Sequence, residues 1–265
     1  MYRSYEIELS RGAFSNQYER LKPGISALYP NLRKSLACKI AQYGYDKNIP
    51  VDGELIEKTW FPQGEFHVFI SHSHKDIELA SCLAVYLKWR MGINAFVDSL
   101  VWGYRDTLIK QLTPTGLGHY RWTEEQKLSF TSSVASHVDC MLLKSLMEVM
   151  DRCECILFLN TPNAMTTEGV CGKTMSAWIY GEMEAARRLR KIVPERLRLT
   201  KRAMENYSRV VLDESVGAQP VIMMSHPMDT SHLQKISSNK FVDWTNAVVS
   251  TDPQQSLDTL YSLMK

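Results

Sequence analysis

The strongest constraint on the fold is an alternation of short apolar runs with amphipathic stretches, beginning at residue 66. The first run, Phe66–Ser71 (FHVFIS), is compact and apolar, as in a strand that is buried on both faces. Apolar residues recur at helical spacing over Asp76–Arg90, and Gly92 follows where a helix C-cap is expected. A second strand is predicted at Asn94–Asp98 (NAFVD). Two strands joined by a helix form a βαβ unit, which predicts a parallel sheet.

The same alternation continues through the rest of the chain. Further strands are predicted at Cys153–Leu159, Pro220–Met224 and Lys240–Trp244. Further helices are predicted at Val138–Arg152, Thr174–Lys191 and Gln254–Met264. Two stretches, near residues 113–136 and 195–209, fit the alternation poorly and are interpreted as insertions. The expected fold class is α/β, with a flavodoxin-like doubly wound sheet of five parallel strands.

The first 64 residues differ from the remainder of the chain. They contain short amphipathic stretches, such as Leu32–Gln42, that are interrupted by proline and glycine. This pattern predicts a small, mainly helical N-terminal extension over residues 1–64. The sheet domain is expected to occupy residues 65–265, including both insertions.

Composition and charge exclude several classes of protein. The 31 basic and 29 acidic residues give a formal net charge of +2, so neither nucleic acid nor an anionic membrane is expected as a partner. No apolar run approaches the ~20 residues that span a bilayer. The N-terminal sequence lacks the apolar core of a signal peptide, and the 6 cysteines lack the spacing of a disulfide framework. We therefore expect a soluble cytoplasmic protein with reduced thiols.

Polar loops follow the predicted strands. Ligands of doubly wound sheets bind beyond the carboxyl ends of the strands, so the loops after Ser71, Asp98 and Leu159 are the expected places for chemistry. The first loop lies within Ser71–Asp76 (SHSHKD) and precedes a helix N-terminus, which favours anions. One interpretation is a phosphate-binding loop in which Lys75 supplies a point charge.

Two other interpretations of this loop remain open. Asp76 is a candidate helix cap. The spacing His72-x-His74-x-Asp76 is similar to the start of the metallo-β-lactamase signature, which binds metal. That signature continues with another histidine where this chain has Ile77, and the later histidines form no recognisable ligand pair. We therefore expect no metal.

The second loop places an acid, two aromatic residues and an arginine close together in sequence: Asp98, Trp102, Tyr104 and Arg105. Aromatic faces and a guanidinium suit a nucleotide, through stacking and phosphate pairing. The alternative is that Asp98 caps a helix and the aromatic residues pack over the core.

The third element is a predicted helix with an acid on its apolar face. Trp178, Glu182, Ala185, Ala186 and Leu189 share that face, because they follow the helical repeat. A half-buried glutamate beside tryptophan is expected to have a raised pKa and to need a partner. The alternative is a structural glutamate that is hydrogen-bonded to a neighbouring loop.

Together and in this order, these elements resemble the Toll/interleukin-1 receptor (TIR) domain. Phe69–His72, followed by Lys75–Asp76, resembles its first box, and Phe96–Asp98 is similar to the strand that leads into its BB loop. The stretch Ser176–Glu182 matches the Ser-x-Trp-x-x-x-Glu pattern, in which the glutamate is catalytic in NAD-consuming members. The cysteine that often follows the tryptophan is Ile179 here. The resemblance covers about residues 65–265, and the two last predicted strands resemble those of the family.

The resemblance implies two classes of function. NAD-consuming TIR domains cleave the nicotinamide–ribose bond and release ADP-ribose or a cyclic or conjugated variant, in some cases as a signal in antiphage defence. Other TIR domains are scaffolds that signal by self-association and often lack the acid. The presence of Trp178 and Glu182 favours the enzyme. The expected partners are NAD+, further copies of the chain, and an effector that senses the nucleotide product.

The resemblance also implies a role for each residue. Glu182 is expected to be catalytic, by stabilising the oxocarbenium-like ribose that nicotinamide leaves behind. NAD+ is the expected substrate, with no cofactor. Substrate contacts are expected from Ser71, His72, Lys75, Asp98, Trp102, Tyr104, Arg105, Ser176 and Trp178.

Overall fold

The strands that the structure describes form two sheets. A computed structural model describes residues 1–9, 19–29, 52–61, 64–102, 105–113, 122–165, 173–174, 176–198 and 225–264. The strands within these ranges are β1 (Arg3–Ile7), β2 (Val68–Ser71), β3 (Ala95–Phe96), β4 (Cys155–Leu159), β5 (Lys173–Thr174), β6 (His226–Pro227) and β7 (Gln234–Ile236). Five of them form a parallel sheet in the order β3-β2-β4-β1-β7, and β5 pairs with β6 antiparallel.

Helices connect and cover the strands. They are α1 (Gly53–Trp60), α2 (Ile77–Met91), α3 (Asp98–Val101), α4 (Arg105–Leu112), α5 (Glu124–Arg152), α6 (Ala177–Arg188), α7 (Glu195–Arg198), α8 (Ser238–Ala247) and α9 (Pro253–Leu263). Short 3-10 turns occur at Lys22–Ala27 and His74–Asp76. Among the described residues, no helix combines the length and the apolar character needed to cross a bilayer.

Alternate residues of each central strand face opposite apolar clusters, because side chains in a strand alternate with a period of two. Val68 and Ile70 pack with α2, α8 and α9 on one face of the sheet. Phe69 and Ile156 pack with α1, α5 and α6 on the other. The predicted α/β class with a five-stranded, all-parallel sheet is therefore confirmed.

The α2 helix forms as the sequence predicts. Gly92 follows it in the left-handed region with φ 69°, and its N–H bonds to the carbonyl oxygens of Leu87 and Lys88. A Cβ atom at this position would lie 1.8 Å from the carbonyl oxygen of Thr251. Both the backbone angle and the close approach therefore require glycine here.

The prediction of a separate helical extension over residues 1–64 is wrong for Arg3–Ile7, because these residues form the strand β1. The β1 strand lies inside the sheet between β4 and β7, and Arg3 to Ile7 pair in register with Cys155 to Leu159. The flavodoxin-like strand order is 2-1-3-4-5. Here β3, β2 and β4 occupy the first three places of that order, and the N-terminal strand β1 occupies the fourth. The segment escaped prediction because buried Ser4 and Glu6 interrupt its apolar character.

The later part of the chain also differs from the prediction. The predicted strand Lys240–Trp244 lies within helix α8, which Ser237 caps by accepting a hydrogen bond from the Lys240 N–H. The fifth strand of the sheet is instead β7. Residues 124–136, which lie in the first predicted insertion, form the N-terminal part of the 29-residue helix α5. Within 195–209, α7 is described; Pro220–Met224 lies outside the described residues.

Replacement of Ile7 by alanine tests whether β1 is an internal strand. Ile7 is fully buried in the apolar cluster, so Ile7→Ala is expected to reduce the free energy of unfolding by about 2–5 kcal/mol. Val249→Ala is the control, since Val249 is 95% exposed, and a change within about 0.5 kcal/mol is expected. Urea unfolding of both variants measures the difference. A loss below about 0.5 kcal/mol for Ile7→Ala would indicate that the N-terminal segment does not join the sheet.

Candidate active site

Glu182 lies at the carboxyl end of β2, next to the point between β2 and β4 where the strand order reverses. Ser71 ends β2, and helix α6 packs over this edge of the sheet through Ala185 and Ala186. Ser176 begins the helix, because its side chain accepts a hydrogen bond of 3.2 Å from the Ile179 N–H. Small side chains allow a close approach of helix and sheet, which brings Glu182 to the end of β2.

Glu182 is a buried carboxyl group with a single short contact to the sheet. Only 1% of the residue is exposed, and Oε2 accepts a 2.5 Å hydrogen bond from Ser71 Oγ. Burial raises the pKa of Glu182 well above its ordinary value, and the nearby carboxylate of Asp98 raises it further. Hydrogen bonds from Ser71 and Trp178 oppose this increase. The arrangement therefore favours the neutral carboxyl form.

Asp98 joins two of the predicted site residues. Its Oδ2 accepts a hydrogen bond of 3.0 Å from the indole Nε1 of Trp178, and its Oδ1 lies 3.8 Å from Nδ1 of His72. The Nε2 atom of His72 lies 3.4 Å from Ser99 Oγ. The cap interpretation of Asp98 is wrong, since Val97 is the N-cap of α3 and Asp98 makes no capping bond. The loop after β3 is thereby tied to α6.

A pocket of about 250 Å³ opens beside these residues. Its walls are mainly aromatic and aliphatic, and its polar side chains come from the loops after β2 and β3, from α4 and from the start of α6. The lining residues are Trp60, Phe61, His72, His74, Asp98, Ser99, Trp102, Arg105, Leu108, Val138, Leu142, Ser176 and Trp178. Glu182 is not among them, although Ser176 and Trp178 of the same segment are.

The structure does not bring every predicted residue into the pocket. Ser71 is fully buried against Glu182, and Lys75 is exposed and outside the lining. Trp102 lines the pocket but is only 2% exposed, because its ring packs edge-on against Phe61 and Phe96. Tyr104 lies outside the described residues.

Asp76 occupies the N-cap position of α2, but its side chain makes no capping hydrogen bond to that helix. Its Oδ2 accepts a hydrogen bond of 2.5 Å from Thr161 Oγ1, and its Oδ1 accepts one of 2.7 Å from Asn163 Nδ2. Asp76 therefore connects the loop after β2 with the loop after β4. Among the residues that the structure describes, no three His, Cys, Asp or Glu side chains are placed to hold a metal ion.

Several lining residues were missed by the sequence analysis. Trp60 and Phe61 come from the end of α1, within the segment that was interpreted as a separate extension. Leu108, Val138 and Leu142 come from α4 and α5, which carry no recognisable motif. The adjacent aromatic residues just before the first predicted strand were the only available signal.

No family model, no curated protein and no solved structure matches the chain. Function is therefore inferred from the chemistry of the site, together with the resemblance of its motifs to the TIR domain.

The pH dependence of stability tests the protonation of Glu182. Its raised pKa means that the folded state retains a proton that the unfolded state loses, so its contribution to stability falls as pH rises above about 4.5. Glu182→Gln keeps a neutral side chain. Relative to this variant, the wild type is expected to lose stability as pH rises above about 5, by at most ~1.4 kcal/mol per pH unit. Urea unfolding of both proteins at several pH values measures the difference in the free energy of unfolding.

Glu184→Gln is the matched control on the same helix. Glu184 forms ion pairs with Arg187 and Arg188, so the control makes the same chemical replacement on the same helix without changing the buried carboxyl group. A difference in the free energy of unfolding between the wild type and Glu182→Gln that stays constant as pH rises would contradict a neutral, buried Glu182.

Proposed function

We propose that the protein is a TIR-type NAD+ glycohydrolase with ADP-ribosyl cyclase-like chemistry, in which Glu182 is the catalytic carboxylate. The observation that carries this proposal is the buried Glu182 carboxyl, held by Ser71 at the end of a central parallel strand, beside an aromatic pocket. A carboxyl group with a strongly perturbed pKa at a strand-order reversal is typical of an active site. The Ser176–Glu182 motif adds the choice of NAD+.

The proposed reaction begins with the departure of nicotinamide. Nicotinamide is cationic when bound to ribose, so it leaves as a neutral molecule without an acid, and an oxocarbenium-like ribose remains. A carboxylate beside the ribose stabilises that positive charge. Water then adds to the ribose and gives ADP-ribose with release of a proton, whereas a nucleophile of the substrate itself or of another molecule gives a cyclic or conjugated product.

The raised pKa of Glu182 is compatible with this role. A cationic substrate favours the ionised form of a neighbouring carboxyl group, so binding of NAD+ promotes loss of the proton from Glu182. The carboxylate then forms beside the charge that it stabilises. Asp98, which accepts a hydrogen bond from Trp178, adds negative charge to the same region.

Access to Glu182 requires a local change. The residue is 1% exposed, and the pocket of about 250 Å³ is smaller than the ~300–1,000 Å³ of common ligand sites. In this proposal the pocket takes the nicotinamide riboside end of NAD+, and Trp178 shifts to admit the ribose. Contacts between copies of the chain complete the site, and the nucleotide product activates a cytoplasmic effector in antiphage immunity.

The second candidate function is a non-catalytic scaffold that signals by self-association. Burial of Glu182 favours this alternative, because a glutamate that only links α6 to Ser71 needs no contact with solvent. The two functions differ in whether Glu182 affects turnover of NAD+.

Release of nicotinamide from NAD+ distinguishes the two functions. The wild-type protein is expected to release nicotinamide, with a rate per molecule that increases with protein concentration if assembly completes the site. Glu182→Gln is expected to lower kcat at least ~100-fold, because it removes the charge that stabilises the transition state. Glu184→Gln is expected to stay within about twofold of the wild type, since Glu184 is engaged by Arg187 and Arg188. Chromatographic separation of nicotinamide and ADP-ribose measures both products.

Equal turnover by Glu182→Gln and the wild type would exclude Glu182 as the catalytic group. A protein that forms oligomers but releases no nicotinamide at any concentration would favour the scaffold.

A further inference from the structure

Arg105 lies in the pocket wall, and two neighbouring carboxylates hold it. Its Nε donates to Asp139 Oδ1 and its Nη2 to Asp139 Oδ2, the latter at 2.8 Å, which is a bidentate pair. Its Nη1 donates to Asp106 Oδ1 at 2.9 Å. Asp139 belongs to α5 and Arg105 to α4, so this pair also joins the two helices. The guanidinium is therefore already engaged by anions of the protein.

This engagement changes the charge that a ligand meets. Asp98 contributes a carboxylate to the pocket, and the charge of Arg105 is offset by Asp139 and Asp106. A pocket of this kind favours a cationic aromatic ring, which its tryptophan faces also suit. It disfavours a phosphate group, because the bidentate donor that phosphate would use is occupied.

The pair is accessible enough for a ligand to compete with it. The side chain of Arg105 is 42% exposed and that of Asp139 is 49% exposed. Ion pairs with such exposure are screened by water and contribute little to stability. A phosphate oxygen pair has the same fork geometry as a carboxylate, so it can replace Asp139 on Arg105.

We propose that Asp139 is a specificity-determining residue of the pocket, which competes with ligand phosphate for Arg105 and so keeps the phosphates of a nucleotide away from Arg105 while the pocket takes the nicotinamide riboside end. The inference rests on the proposed function in one respect, namely that the pocket takes the nicotinamide end of a nucleotide. Removal of the Asp139 charge releases the guanidinium to phosphate, and it leaves the aromatic walls and Asp98 in place.

Two compounds that differ only by one phosphate test this inference: nicotinamide riboside and nicotinamide mononucleotide. Binding is measured by calorimetry in the Glu182→Gln background, which suppresses turnover. Asp139→Asn is expected to tighten binding of the mononucleotide about two- to fivefold, the size of effect typical of one exposed ion pair. Binding of the riboside is not expected to tighten. Thermal unfolding confirms that each variant is folded.

Two further variants control for charge and for mechanism. Glu125→Gln changes the net charge equally on the same helix, but it lies 14 residues from Asp139, or ~21 Å along the axis, beyond the ~10 Å screening length at 0.1 M salt. It is expected to change neither affinity. Arg105→Gln is expected to abolish the effect of Asp139→Asn, because the inference requires the two residues to act on one phosphate.

Mononucleotide affinity that is unchanged in Asp139→Asn, or an effect that persists in Arg105→Gln, would overturn the inference. Absence of binding by both compounds in every variant would overturn it together with the nucleotide assignment. If the protein cleaves NAD+ but its affinity for the mononucleotide does not depend on Asp139, only the inference is overturned. If Asp139 controls the affinity for the mononucleotide but the protein never cleaves NAD+, the inference is supported and the catalytic proposal is overturned.

Discussion

The hydrogen bond from Ser71 to Glu182 is the interaction on which the site depends. A carboxyl group that is removed from water needs a donor or must stay neutral, and Glu182 is 1% exposed. Ser71 supplies the donor from the end of a central strand, so this one hydrogen bond links the buried carboxyl group of α6 to the sheet. Loss of that donor would leave a buried acceptor without its partner, which costs about 1–3 kcal/mol.

The three carboxyl groups around the strand-order reversal follow the same rule. Each is held by a donor from a different element: Asp76 by the loop after β4, Asp98 by Trp178, and Glu182 by Ser71. These bonds join the loops after β2, β3 and β4 to one another and to α6. A connected polar network therefore adjoins the mainly aromatic and aliphatic pocket, and its three acids differ in environment.

The sequence predicted the elements whose signals are local. The apolar run before Ser71, the helix that ends at Gly92 and the helical face that carries Glu182 all depend on periodicity within one segment, and all appear in the structure. The strand at Arg3–Ile7 could not be recognised in this way, because its burial on both faces comes from neighbours that are distant in sequence. The stretch Phe241–Trp244 was misassigned since two buried aromatic residues three apart suit both a strand and the helix that forms.

For the candidate site, the sequence by itself determined which acids and aromatic residues are available and that Glu182 and Trp178 share one helical face, because that relation follows from 3.6 residues per turn. Only the tertiary structure decided that Ser71 donates a hydrogen bond to Glu182, that Trp60 and Phe61 line the pocket, and that Asp139 forms an ion pair with Arg105. Each of these contacts joins segments more than 30 positions apart in the chain, so no local pattern encodes it. They form because packing of helices on the two faces of the sheet brings those segments together.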